Sequence, residues 1–385
     1  CLCARPVRNE RDRRRLRDEC TGVSWPVRLE RAGLHGMMGV MYDRLSRHAA
    51  DLVPAAVMHL MKREASAVQV RNLRMMHELL RMGQWFHDAR LPLITFKGPL
   101  LAQAYYGNLA FRQFGDIDVL VPPDRLSEAW SILQDHGYHC RRQLSVEQAK
   151  DCARADLGRE FEKGGVTVEV HGQLLNRALT FRLHADAVWE RATPTTMGAP
   201  GLYELAPTDL LLYLCAHGAK HHWSRLLWAS DVARVLNHHP DLDWTTARQR
   251  ARTIGSLRTL LLGVALAQRW FSVAVPTGAE RDIRADRAVA SLIRDIEANW
   301  LGTDLGLHRP AGWATLRFTL RTRQRLRDNW PMMAHYARLA VTPTENDRAF
   351  AGARAPQSVL YLLRPLRLLV DALSTLSRSR STPSP

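Results

Sequence analysis

One stretch constrains this chain more than any other. It spans residues 114–121 and reads Phe-Gly-Asp-Ile-Asp-Val-Leu-Val. Its apolar second half predicts a buried β-strand that ends at Pro122. Asp116 and Asp118 stand at the entrance of this strand, on the same side of the pleat and about 7 Å apart. Two like charges this close repel unless a cation lies between them, and carboxylate oxygens suit Mg²⁺ or Mn²⁺. The stretch therefore predicts a metal site, although a solvated turn is the common alternative.

A second feature precedes the two aspartates. The apolar segment 92–96 predicts a short strand that turns through Lys97 and Gly98 into a helix over 98–107. At such a turn the free backbone N–H groups attract an anion, glycine permits close approach, and lysine adds a positive charge. The turn is a candidate phosphate site.

A third feature follows the aspartates at residues 166–171, where apolar and polar side chains alternate strictly. The alternation predicts a strand with its valines buried on one face and with Thr167, Glu169 and His171 on the other. If this strand pairs beside 116–121, Glu169 becomes a third carboxylate near Asp116 and Asp118. His171 is then a weaker supporting contact.

These features together resemble a known family. Their order resembles the uncharacterised nucleotidyltransferase family of the polymerase-β-like superfamily, over roughly residues 75–240. The matching positions are Lys97-Gly98, Arg112, Asp116 to Val121, Gly137-Tyr138, Glu169-Val170-His171 and the stretch from His217 to Asp231. One departure is that Lys97-Gly98 replaces the Gly-Ser phosphate turn of the wider superfamily.

The resemblance implies a metal-dependent enzyme that moves a nucleoside monophosphate from an NTP to an unidentified acceptor and releases pyrophosphate. Its cofactor is Mg²⁺ or Mn²⁺. The implied metal-binding and catalytic residues are Asp116, Asp118 and Glu169. The implied nucleotide-binding residues are Lys97, Gly98, Arg112, His217 and Lys220.

Two of these assignments have alternatives. Arg112 either pairs with a phosphate or braces a carboxylate, or is an ordinary surface arginine. His217 shares a helix face with Leu210, Leu214 and His221, which is typical of a core or boundary residue. The functional reading puts His217 at the rim of a cleft between two domains. A zinc site at His217 and His221 lacks a defined third ligand.

Composition favours polyanionic partners but does not choose among them. The chain has 385 residues, 46% of them hydrophobic, and a formal charge of +16. Nearly all positive charge is arginine, because the only lysines are Lys62, Lys97, Lys150, Lys163 and Lys220. Two alternatives to the enzyme stay open: a catalytically silent scaffold on nucleic acid or an anionic membrane, and a toxin-like enzyme that nucleotidylates tRNA or protein.

The six cysteines show neither a disulfide framework nor metal-ligand spacing, which favours a reducing, cytoplasmic compartment. No apolar run is long enough to span a membrane. The apolar segment 359–376 either docks on the helical domain or makes weak peripheral membrane contact. The oligomeric state is left open.

The fold class predicted is α+β: a small mixed β-sheet nucleotidyltransferase domain with helices, followed by an α-helical domain. The domains run as a basic disordered N-terminus at 1–24, N-terminal helices at 25–90 packed on the catalytic domain, the nucleotidyltransferase domain at 91–204, the α-helical domain at 205–376 and a disordered tail at 377–385. Further helices are predicted at 124–136, 145–154, 243–254, 256–271, 279–299 and 313–328, and further strands at 138–142 and 158–163.

Overall fold

The computed structural model describes most of the chain in two compact units. The described residues are 7–141, 158–175, 183, 185–301, 313–343, 347, 359–361, 363–365 and 367. Those up to Gln324 form the first unit, and those from Arg325 onward belong to the second. The division predicted at 204–205 falls inside the first unit and stays a prediction.

A mixed sheet of seven strands forms the centre of the first unit, in the order β3-β4-β5-β2-β1-β7-β6. The strands are β1 (Leu93–Thr95), β2 (Ile117–Leu120), β3 (His139–Cys140), β4 (Arg159–Lys163), β5 (Val166–His171), β6 (Thr193–Pro194) and β7 (Leu202–Glu204). The central strand β2 pairs parallel with β5 on one side and antiparallel with β1 on the other. The pairing of 166–171 beside 116–121, on which the placement of Glu169 depended, is therefore present.

Apolar alternation explains how the two faces of the sheet are covered. In β5 the three valines are buried, whereas the alternate residues are half-buried. The valines and Val119 pack into a cluster with α4 (Ala55–Asp88) and α6 (Leu126–Asp135). The opposite face contributes Ile94, Phe96 and Leu120 to a second, larger cluster. Because Asp118 lies two residues before Leu120, its side chain is on this second face.

Helices build the remainder of the first unit. They are α1 (Glu10–Asp18), α2 (Trp25–Leu34), α3 (Met38–His48), α4, α5 (Gly98–Leu100), α6, α7 (Ala185–Trp189), α8 (Pro207–Lys220), α9 (Leu226–His238), α10 (Trp244–Thr253), α11 (Leu257–Phe271), α12 (Thr277–Ala285), α13 (Arg287–Leu301) and α14 (Trp313–Arg321). The leucines of α8, α9 and α11 dominate the larger cluster. The prediction of α+β architecture with a mixed sheet and abundant helix is confirmed.

Local structure corrects two expectations. The N-terminus was expected to be disordered, yet α1 forms over Glu10–Asp18 because Asn9 caps its first turn and Leu16 is buried. The single helix expected at 279–299 is two helices that meet at Asp286, and Asp286 accepts a hydrogen bond from Ala288 N. The helix predicted at 145–154 and the tail at 377–385 lie outside the described residues.

The second unit contains α15 (Trp330–Val341). Within this unit Asp347 is 1% exposed and accepts hydrogen bonds from Arg364 and Arg367 at 2.7 Å and 2.6 Å. Across the described parts of both units, none of the helices combines the length and the apolar character that crossing a membrane requires.

Candidate active site

The pairing of β2 with β5 brings a carboxylate from each strand face to face. Asp118 lies directly opposite Glu169 in the parallel register. Potential metal-ligand atoms of Asp118, Glu169 and His171 all lie within 4.8 Å of one another. Glu169 thus lies close enough to Asp118 for the two carboxylates to share one ion, and a metal role for both stays a prediction. The two strands present one nitrogen ligand and two oxygen ligands at a single point.

His171 is the member of this cluster that sequence reasoning undervalued. Its Nε2 lies 3.5 Å from Asp118 Oδ1 and 3.5 Å from Glu169 Oε2. The strict alternation of this strand already placed His171 on the same face as Glu169, because the two residues are two positions apart. The signal was present in the sequence, but an Asp-x-Asp motif directed attention to Asp116 instead.

Asp116 lies outside the three-residue cluster. It precedes β2, which begins at Ile117. Burial, followed by the nearby negative charge of Asp118, raises the pKa of Asp116 to about 6. Among the described residues, the third member of the ligand cluster with Asp118 and Glu169 is His171, not Asp116. The two aspartates differ in position, because Asp118 lies within β2 and Asp116 precedes it. A metal-binding role for Asp116 stays a prediction.

Lys97 contacts this cluster directly. Its Nζ lies 2.7 Å from Asp118 Oδ1, and the two side chains are 14% and 1% exposed. Burial opposes the charge on Asp118 most strongly, but Lys97 and then His171 outweigh it and hold the pKa of Asp118 below its usual range. The pair is therefore a buried ion pair at the entrance of the sheet face.

The charge on His171 follows from the same neighbours. Burial alone would lower its pKa, but hydrogen-bonding interactions with Asp118 and Glu169 raise the pKa of His171 to about 9. Nε2 of His171 and Oδ1 of Asp118 are buried, and their polar contacts are ion pairs: Lys97 with Oδ1 at 2.7 Å, and Nε2 with the two carboxylates at 3.5 Å. These donor atoms fit a divalent cation, which would take the place of the ion pairs and would release the proton of His171 on binding.

Gly98 fixes the turn that carries Lys97. Its φ of +46° lies in the left-handed region that glycine adopts readily. A Cβ at this position would lie 3.0 Å from the backbone oxygen of Asp116, so a side chain would press on the entrance of β2. The turn then continues through α5 into a π-helical segment, Leu101–Tyr105. Glycine here allows the lysine turn to pack directly against the aspartate stretch.

Arg112 braces a carboxylate, and that carboxylate is Asp231 on α9. Its Nε and Nη2 donate to the two oxygens of Asp231 at 2.8 Å and 2.9 Å, and both side chains are almost fully buried. Tyr106 adds a third hydrogen bond to the same carboxylate at 2.8 Å. Asn72 on α4 donates to the Arg112 carbonyl at 2.8 Å. Arg112 thus ties the loop before β2 to two helices, and its predicted contact with nucleotide stays a prediction.

The buried Arg112–Asp231 pair carries a stability prediction. Arg112→Met is expected to lower the free energy of unfolding by about 3–5 kcal/mol, because it leaves Asp231 buried and uncompensated. Urea denaturation measures the loss. Arg17→Met, which removes an exposed partner of Asp51, is the control and should change little. If Arg112→Met lowers the free energy of unfolding no more than the control does, the Arg112–Asp231 pair does not stabilise the fold.

His217 and Lys220 lie on α8, beside the second face of the sheet. The His217 ring is 5.9 Å from that of Tyr213 and 4.7 Å from that of His221. Burial, and then the positive charge of Lys97, hold the pKa of His217 well below its usual value. His217 is therefore a neutral ring within the electrostatic reach of Lys97. Lys220 ends the same helix, one turn further on.

The zinc alternative at His217 and His221 gains no third ligand. Within the described part of the chain, the group of at least three potential ligands is the one on β2 and β5. The pair on α8 instead forms ring contacts with Trp228, at 5.8 Å and 4.9 Å. Both histidines therefore pack against an aromatic ring.

Comparison with known proteins identifies the family. Residues 21–272, well over half of the chain, match the family described as uncharacterised nucleotidyltransferase. The chain belongs to this family of nucleotidyl-transferring enzymes. Among curated proteins none matches. A similar solved structure is the solution structure of the antibiotic-resistance factor ANT(2'')-Ia, at 14% identity and a TM-score of 0.28, over 60% of this chain and 97% of that chain.

Proposed function

We propose that the chain transfers a nucleoside monophosphate from an NTP to an acceptor hydroxyl or phosphate, releases pyrophosphate, and requires Mg²⁺ or Mn²⁺. One observation carries the proposal: ligand atoms of Asp118, Glu169 and His171 converge within 4.8 Å on the sheet, with Asp116 immediately before them. The two carboxylates supply the oxygen ligands that suit Mg²⁺ and Mn²⁺. When bound, the ion neutralises phosphate charge and lowers the pKa of an attacking oxygen.

The protein's own side chains would divide the remaining work. Glu169 is the carboxylate with more exposure, 29% against 1% for Asp118, so it can accept the proton of the incoming acceptor hydroxyl. Lys97 supplies a positive charge for the β- and γ-phosphates, from a turn that Gly98 keeps tight against the sheet. His217 and Lys220 border the same face and are proposed to contact the nucleotide.

Screening nucleotides and metals tests the reaction. Purified protein is incubated with each of the four NTPs, with Mg²⁺ or Mn²⁺, and with candidate acceptors that include small hydroxylated molecules, tRNA and protein. Pyrophosphate release that depends on both the metal and one acceptor is the expected result. Release of inorganic phosphate in place of pyrophosphate would contradict nucleotidyl transfer.

A silent scaffold would need no such cluster. Its function would rest on the basic surface, whereas the carboxylates of Asp118 and Glu169 lie buried or half-buried beside each other. Burying like charges together costs stability, and a binding protein gains nothing from that cost. The arrangement therefore favours catalysis over a purely electrostatic role.

Gly158 provides a prediction that depends on the shape of the site. A Cβ at Gly158 would lie 2.3 Å from Glu169 Oε1 and 2.7 Å from His171 Cε1. Gly158→Ala is therefore expected to displace both side chains and to reduce transfer by about 10²-fold, the usual effect of a misplacement of about 1 Å. The fold should persist, since Gly158 does not have a positive φ and alanine can adopt its backbone conformation.

The matched control is Gly33→Ala on α2, where the nearest atom to a Cβ is 4.0 Å away. Transfer rate and Mn²⁺ affinity are measured for both variants alongside circular dichroism. Equal activity of Gly158→Ala and Gly33→Ala would show that the space beside Glu169 has no role in the reaction.

A further inference from the structure

Lys97 and the proposed metal compete for one oxygen atom. Asp118 Oδ1 lies 2.7 Å from Lys97 Nζ and 3.5 Å from His171 Nε2. The ammonium group and the His171 ring therefore share one carboxylate oxygen. A magnesium ion binds oxygen at about 2.1 Å. A dication that bridges Asp118 and His171 would stand beside this ammonium in a site where little solvent screens their repulsion.

Within the described part of the chain, Asp118 is the carboxylate that lies at ion-pair distance from Lys97. Among its described partners, Asp118 forms the ion pair, and the rings of Phe96 and Tyr213 have centroids 5.8 Å from Nζ. Rings at this distance attract a cation weakly compared with a buried carboxylate. Asp118 is thus the closest charged partner of the ammonium, with the Tyr213 hydroxyl and the charge of Asp116 acting on it more weakly.

We propose that Lys97 is a resident counter-ion that neutralises Asp118 before the metal binds and is displaced from Asp118 when the metal binds. The displaced ammonium then becomes available to the phosphate chain of the nucleotide. This proposal rests on the proposed metal assignment of the preceding section. It makes metal binding a precondition for full phosphate affinity, so the two binding events are thermodynamically coupled.

The identity of the residue fits this role. Lysine carries a compact charge on a flexible stem, whereas the planar guanidinium of arginine holds a carboxylate through two parallel hydrogen bonds. Arg112 and Asp231 show that two-bond pairing elsewhere in this chain. The chain uses arginine for nearly all its positive charge, yet it has a lysine at this position. Lysine suits a cation that must leave Asp118, because it lacks the two parallel hydrogen bonds of an arginine pair.

The decisive experiment compares Mn²⁺ affinity in wild type and Lys97→Met by calorimetric titration with the metal alone. Loss of the competing charge is expected to tighten Mn²⁺ binding roughly ten- to a hundredfold, the range of one charge-assisted contact. Binding of inorganic tripolyphosphate at saturating Mn²⁺ is expected to weaken in the same variant. Lys62→Met, which removes an exposed lysine on α4, is the control for net charge and should match wild type.

Tighter Mn²⁺ binding together with weaker tripolyphosphate binding in Lys97→Met would support the counter-ion role. Unchanged or weaker Mn²⁺ binding in Lys97→Met would overturn it. If that variant does not fold, Lys97→Arg answers the same question, because the two-bond grip of arginine should weaken Mn²⁺ binding, and unaltered binding would overturn the proposal.

Asp118→Asn distinguishes a failure of the counter-ion proposal from a failure of the metal assignment. If Asp118→Asn binds Mn²⁺ as wild type does, the metal assignment itself fails. If Asp118→Asn loses Mn²⁺ binding while Lys97→Met gains none, only the counter-ion role fails. The two failures therefore give different results in one titration series.

Discussion

Asp118→Asn is expected to abolish metal-dependent nucleotidyl transfer while the protein stays folded. Asp118 contributes the most deeply buried of the three clustered ligand groups, with 1% of its side chain exposed. Asparagine keeps the shape but removes the charge that both a metal and Lys97 require. A loss of at least 10²- to 10³-fold in turnover is expected, about the effect of removing one charge-stabilising group from an active site.

The control for Asp118→Asn is Asp124→Asn, an exposed aspartate in the turn that follows β2. Turnover is measured as pyrophosphate release with Mg²⁺ or Mn²⁺, and folding is monitored by circular dichroism. Asp124→Asn should behave as wild type. Full turnover by folded Asp118→Asn would show that Asp118 is not a ligand of a required metal ion.

Glu169→Gln is expected to separate nucleotide binding from transfer. Glutamine keeps the size of the side chain but cannot accept the proton of an acceptor hydroxyl. Transfer should fall by a factor on the order of 10² or more, as expected when a general base is lost. Nucleotide affinity should change little, because Lys97 and the turn at Gly98 remain. Single-turnover kinetics and equilibrium nucleotide binding measure the two effects separately.

Glu160→Gln is the matched control for Glu169→Gln. Glu160 lies directly opposite Glu169 in the neighbouring strand β4, but it is exposed and pairs with Arg141 at 3.2 Å. The same chemical change one strand away should leave transfer intact. If both variants lose transfer equally, or if Glu169→Gln loses nucleotide affinity in proportion to its rate, Glu169 is not the base.

The sheet at the site could be predicted because its determinants are local. The valines of 166–171 alternate with polar residues, and this pattern alone assigned Glu169 and His171 to one face. The apolar run after Asp118 similarly indicated a buried strand. The pairing itself was only a condition of the sequence argument, and in the structure it lets Val119 and the valines of β5 share one core.

The partners of the charged residues could not be predicted in the same way. Arg112 and Asp231 are 119 positions apart, and nothing in the residues around Arg112 indicates which carboxylate it binds. The contact of Lys97 with Asp118 depends on the turn at Gly98 and on the register of β1 with β2. Such contacts arise from packing between distant segments, whereas periodicity reports only which face a residue occupies.

One measurement tests the central claim most directly: the fate of label from an NTP labelled at the α-phosphate, compared with one labelled at the γ-phosphate. Wild-type protein with Mn²⁺ and the acceptor found by screening should move the α-label onto the acceptor and leave the γ-label in pyrophosphate. Asp118→Asn should do neither. Transfer of the γ-label to the acceptor, or equal α-label transfer by Asp118→Asn, would contradict metal-dependent nucleotidyl transfer at this site.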